Sequence, residues 1–190
     1  GLPPPMGGWG EFERSVETLT RLGIIEDSSK IWWDLRPSAR FPTLETRICD
    51  GCPRLEDTIT LAALIQTTIR MLWRLSLKNA RWRHYDNFLL GENRWRALRY
   101  GTTKGQIDFG ADKIVPFPEL AEGWLELIAE DADALDCQPA VARLRDMTKA
   151  GTAAERQRGV FAGTVAAGAS TDEALRAVVA HLVREFRDDL

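Results

Sequence analysis

Near the start of the chain, apolar residues recur every three or four positions: Trp9, Phe12, Val16, Leu19 and Leu22. That period lays a single stripe along an α-helix, and Gly23 is the residue type that ends one. The pattern then changes. Residues 30–35 (KIWWDL) are short, apolar and aromatic, which predicts a strand. Residues 36–40 (RPSAR) predict a turn, because Pro37 has no N–H for a ladder. Residues 44–49 (LETRIC) alternate with period two and predict a second strand. Its one face carries Glu45, Arg47 and Cys49, and its other Leu44, Thr46 and Ile48.

From Pro53 the period returns to that of a helix. Leu55, Ile59, Ala62, Ala63, Leu64, Ile69, Leu72 and Trp73 form a wide apolar surface, predicting a long and largely buried helix. Shorter helical segments are predicted at 79–88 and 92–100, with Gly101 as terminator, then a loop holding Gly105, Asp108 and Gly110. Helices are predicted at 116–135, 140–150, 153–167 and 171–186, the last opened by a Ser170/Glu173 capping box. The pattern defines an α+β chain, with a few antiparallel strands packed with about seven helices. Two strands alone are marginal in water, so either further strands are hidden or another segment completes the sheet.

Composition adds limits. A chain of 190 residues with 44% hydrophobic and 28% charged residues suits a folded domain and argues against disorder. No apolar run approaches the roughly 18 residues that span a bilayer. The opening GLPPP has neither a basic region nor an apolar stretch of the secretory kind. Three cysteines without framework spacing, Cys49, Cys52 and Cys137, fit a reducing compartment, so a cytoplasmic setting is expected.

The net charge of −3 hides an asymmetry. Residues 30–104 carry fourteen basic and seven acidic side chains, eleven of the basic ones arginine; residues 111–190 carry nine basic and fifteen acidic. The arginine-rich stretch points to an anionic ligand. Arg36 and Arg40 flank the Pro37 turn and could converge on one anion through guanidinium forks. Glu45 is an oxygen donor of the kind Mg²⁺ accepts, and Arg47 on the same face suits a phosphate bridged to that metal. The plainer alternative is an ion-pair set on a solvated strand face. Five tryptophans within the basic stretch also fit a stacking groove for nucleic acid, although the carboxylates interspersed there and the acidic helices behind oppose it. A third alternative is a non-catalytic interaction subunit.

The run IWWDLRPSARFPTLETRICD (31–50), with Pro53 and the helix LEDTITLAALIQTTIRML behind it, resembles carboxylate–amine ligases of the glutamate–cysteine ligase type 2 family. ENRWRALRYG (92–101) is similar to a second signature of that family, and GLPPP with RLGIIEDSSKIWW matches its middle segment. More distantly, the pattern is similar to glutamine synthetases. The resemblance implies that residues 1–190 are the C-terminal portion of one glutamine synthetase-like catalytic domain, whose N-terminal half lies outside this chain. It implies an ATP-dependent ligase that forms an amide through an acyl phosphate, with glutamate and cysteine as the expected substrates. By the same resemblance Glu45 is a Mg²⁺ ligand, Arg47 and Arg40 are catalytic, and Arg36, Arg40 and Arg47 bind ATP. The expected partners are the amino-acid substrates, the other half of the enzyme and further copies of itself, with no nucleic acid and no membrane.

Other residues invite plainer expectations. Trp32 and Trp33 are expected to pack, the alternative being that one faces the core and the other stacks on adenine, and Cys49 to be a buried, inert thiol. Arg94, Arg96 and Arg99 are expected at the surface or in ion pairs, around a core of Trp95 and Leu98, the alternative allowed by the family resemblance being a segment that closes over a substrate. The acidic run at 130–136 is expected to be a solvated helix face.

Overall fold

A computed structural model describes residues 1–188, with side chains through Arg187. Its α+β class is as expected: six α-helices of thirteen residues or more, two shorter ones and two small antiparallel sheets. The chain divides into two compact units, Gly1–Asp50 with Asp86–Gly91, and Gly51–Tyr85 with Glu92–Leu190.

In the first unit, helix α1 (Trp9–Arg21) follows the predicted stripe. It ends where Gly23 adopts φ +71° and the Ile24 N–H reaches back to the Leu19 carbonyl. Phe12 is its buried residue and packs against Trp33, with ring centroids 6.0 Å apart. A 3₁₀ turn at Ser28–Lys30 follows, capped by Asp27, which accepts from the Ser29 N–H. The strands then depart from expectation. Residues 31–34 are not a strand, whereas β1 (Leu35–Pro37) includes the proline and pairs with β2 (Leu44–Thr46). The ladder explains this. Ser38 N–H donates to the Thr43 carbonyl and Arg47 N–H to the Asp34 carbonyl, so the bonded pairs alternate and Pro37 falls on a pair that needs no N–H.

The second unit is built on α2 (Leu55–Leu77) and α4 (Phe117–Ala134), with α5 (Gln138–Ala142) and α6 (Leu144–Ala150) beside them. Its core gathers Ala63, Met71, Leu125, Ile128, Ala132 and Val141. The buried face of α2 overlaps the predicted one at Ala63, with Leu64 packed beside the core, and otherwise departs from it. It comprises Asp57, Thr60, Ala63, Thr67 and Met71, while Leu55, Ile59, Ile69, Leu72 and Trp73 are substantially exposed. Small and hydroxylated residues suit a close helix contact because the threonines satisfy themselves. Thr60 Oγ1 donates to the Glu56 carbonyl, and Thr67 Oγ1 to that of Ala63.

The predicted helix at 79–88 is absent. Asn79, at φ 52°, ends α2, and residues 80–86 run without regular structure. Asp86 then accepts from the Phe88 N–H to open α3 (Asn87–Tyr100). The expected loop after Gly101 contains a hidden hairpin, β3 (Gln106–Asp108) and β4 (Lys113–Val115). It forms a separate sheet rather than extending the first. Gly105 is required there: at φ +66°, a Cβ would collide with the Val115 carbonyl oxygen.

Asn93 on α3 closes the outer edge of β3. Its amide accepts from the Ile107 N–H and donates to the Ile107 carbonyl, both at 2.8 Å, as a neighbouring strand would. Arg96 donates to the Lys104 carbonyl at 3.0 Å, so the arginines of this segment are partly structural. Asn93→Ala is expected to cost about 1–3 kcal/mol by leaving both Ile107 groups unpaired. Faster amide exchange at Ile107 and a lower thermal midpoint would show it; an unchanged exchange rate would count against the edge-closing role.

Helices α7 (Ala153–Ala166) and α8 (Thr171–Asp188) form a packed pair. The Ser170/Glu173 box is present, and a second one, Thr152/Glu155, opens α7.

Candidate functional site

Pairing Arg36 with Glu45 in the β1–β2 register places the two side chains side by side. Arg36 Nε donates to Glu45 Oε2 at 2.8 Å. Arg47 shares that face, as the period of two predicts, and its Nη1 donates to Glu45 Oε1 at 2.5 Å. Each carboxylate oxygen is therefore held by a different arginine. Those hydrogen bonds, Arg36 first and Arg47 second, keep the Glu45 carboxyl below its usual range, so it is ionised at neutral pH.

The two arginines differ in setting. Arg36 is buried, and its Nη1 also donates to the carbonyls of Ser29 and, at 2.8 Å, Ile31. Arg47 is exposed, and its guanidinium lies 4.9 Å from the ring centroid of Trp32. Trp32 is 71% exposed, so of the two adjacent tryptophans only Trp33 packs in the interior. Arg40 sits exposed in the turn between the strands, where its charge helps keep the Asp27 carboxyl low, behind the stronger hydrogen bonds from Ser29. Arg36 and Arg40 thus serve different partners instead of converging.

Cys49 lies at the surface rather than buried. Partial shielding of its sulfur, followed by the Asp50 carboxylate, pushes the thiol above its ordinary range, so its reactive thiolate fraction is small.

The arginine-rich stretch also reads differently once its partners are known. At least seven of its eleven arginines bond carboxylates or backbone carbonyls, among them Arg36, Arg47, Arg54, Arg70, Arg74, Arg83 and Arg96. Much of the charge asymmetry is internal pairing. Arg70 and Arg74 of α2 clamp Asp131 of α4, and Arg54 binds Glu185 of α8 at 2.7 Å. Asp131 belongs to the acidic run expected to be solvated, yet it is fully buried. Its only cue in the sequence is the helical spacing of Arg70 and Arg74, which places both on one face.

Among the described residues no group of three or more His, Cys, Asp or Glu side chains is placed to hold a metal ion. The site in this chain offers one ionised, half-exposed carboxylate, Glu45. That suits Mg²⁺, which is commonly bound through one or two carboxylates with waters and substrate phosphates. No helix among the described residues is long and apolar enough to cross a membrane.

The β1–β2 hairpin thus displays one carboxylate held between two guanidiniums, one buried and one exposed. The model of glutamate–cysteine ligase family 2 (GCS2) matches residues 1–181, and the chain belongs to that family. It is 70% identical over 190 residues to a Paracoccus denitrificans (strain Pd 1222) protein named "Putative glutamate--cysteine ligase 2". Proteins of the same name from Jannaschia sp. (strain CCS1) and Rhodospirillum rubrum are 56% identical over 190 residues and 51% over 185. All of this chain, or 97% of it in the Rhodospirillum comparison, is covered, against 50%, 50% and 48% of those relatives. The chain spans about half the length of the curated relatives it matches.

Proposed function

We propose that this chain forms part of an ATP-dependent carboxylate–amine ligase that joins glutamate to cysteine through an acyl phosphate. The observation that carries the reading is Glu45, ionised and shared between Arg36 and Arg47 on the β1–β2 hairpin of a chain from this family. A carboxylate oxygen of the acid attacks the γ-phosphorus of ATP and ADP leaves. The amine nitrogen then attacks the acyl carbon, loses a proton and expels inorganic phosphate. Both steps need negative charge on phosphoryl oxygens to be held and neutralised.

Glu45 would hold Mg²⁺, which when bound supplies charge neutralisation on the phosphates. Arg47 is the arginine able to exchange partners. It is exposed, so it can leave Glu45 Oε1 for a phosphoryl oxygen while its face stays against Trp32. Arg40, exposed in the turn, is a second candidate for a phosphate or carboxylate. The reading includes a glutamine synthetase-like architecture completed by the other half of the ligase, self-association and a cytoplasmic setting.

The test is ADP formation by the full-length protein over a panel of amino-acid pairs with Mg²⁺ and ATP. ADP should accumulate with glutamate and cysteine together, and far more slowly with either alone. Equal rates with and without the amine would contradict the proposal.

A further inference from the structure

Arg36 has almost nothing left to offer a nucleotide. Its side chain is 8% exposed, Nε is bonded to Glu45 Oε2, and Nη1 is bonded to the carbonyls of Ser29 and Ile31. A guanidinium forks an anion either through Nε with one terminal nitrogen, or through its two terminal nitrogens. Bonds at Nε and Nη1 interrupt both pairs. What Arg36 does instead is tie two backbone carbonyls to one carboxylate. The 3₁₀ turn, the segment leading into β1, and β2 all meet on it, and the Glu45 oxygen that it holds has its direction fixed.

We propose that Arg36 is a positioning residue for the Glu45 metal site and not a ligand of ATP phosphate. The inference rests on the ligase reading and narrows it. The buried guanidinium anchors Oε2, which leaves Oε1, the oxygen facing exposed Arg47, as the one that turns to a cation. Hydrogen-bond partners behind a metal ligand commonly govern metal affinity by 10–100-fold, whereas direct phosphate ligands govern the nucleotide.

The experiment uses the full-length protein with Arg36→Gln, Arg36→Lys and Glu45→Gln. Mn²⁺ affinity is read from the loss of the free-Mn²⁺ EPR signal, and the ATP KM is measured at saturating Mg²⁺. Arg36→Gln is expected to weaken Mn²⁺ binding about tenfold while the ATP KM stays within about twofold. Arg36→Lys should fall between it and wild type, since an ammonium keeps a charge beside Glu45 but not the fixed geometry of the fork. If Arg36→Gln does not fold, Arg36→Lys carries the same comparison. Mn²⁺ affinity equal to wild type, or an ATP KM raised tenfold at saturating metal, overturns the proposal.

The ligase reading fails separately, if wild type binds Mn²⁺ through Glu45 but turns over no ATP; the Mn²⁺ titration of the Arg36 variants then decides the positioning role. Absence of Mn²⁺ binding in wild type overturns both.

Discussion

Glu45→Gln in the full-length protein is expected to lower ATP turnover by at least a hundredfold while leaving the fold intact. The amide keeps the size of the side chain and one acceptor oxygen, but it loses the charge that a hard cation requires. It also places an N–H₂ group opposite an arginine, where only an acceptor fits. Glu45 is half-exposed, so this loss falls on the site and not on a core. Circular dichroism close to wild type, with steady-state rates near background, is the predicted pair of results. Turnover within a few-fold of wild type would remove Glu45 from the metal site.

The second large effect concerns stability. Asp131 has no exposed surface, and Arg74 grips it with a fork, Nη2 to Oδ2 at 2.7 Å and Nε to Oδ1 at 3.1 Å, while Arg70 bonds Oδ1. Removing a carboxylate from such a clamp strands two partly buried cations, so Asp131→Ala is expected to destabilise the second unit by about 3 kcal/mol. A drop in the urea midpoint, with faster amide exchange in α2 and α4, would report it.

Acid should act in the same direction. The Arg74 hydrogen bond, opposed by burial and joined by Arg70, holds the Asp131 carboxyl below its ordinary range. For Glu185 burial pulls upward, but Arg156, Arg54 and His181 outweigh it and the carboxyl is again low. Below the ordinary carboxylate value of about 4, the unfolded chain therefore binds more protons than the folded one. The contribution of these groups is complete above roughly pH 5 and is lost as pH falls toward their lowered native values. Asp131→Ala should flatten that acid limb; an unchanged limb would mean that the clamp contributes little.

The long helices were legible because a period of 3.6 is written directly into residues such as Trp9, Phe12 and Val16. The face that α2 buries was legible only in part, at Ala63, since Thr60 and Thr67 face inward beside it while larger apolar residues remain exposed. The β3–β4 hairpin leaves little trace in the sequence for a related reason. Its strands are three residues long, and one edge is closed by the Asn93 side chain in place of another strand. Asp131 could not be told from its acidic neighbours, because the arginines that claim it lie 61 and 57 residues away.

At the candidate site, the shared face of Glu45 and Arg47 followed from alternation alone. The inward turn of Arg36 did not, since it depends on the strand register and on two carbonyls around a 3₁₀ turn.

The most direct test of the central claim follows one oxygen atom. The full-length protein is supplied with ATP, Mg²⁺, cysteine and glutamate labelled with ¹⁸O in its side-chain carboxylate, and the released phosphate is weighed by mass spectrometry. Amide formation through an acyl phosphate predicts one ¹⁸O atom in phosphate for each glutamyl–cysteine bond formed, with ADP in equal amount. Unlabelled phosphate, or AMP and pyrophosphate in place of ADP, would contradict it.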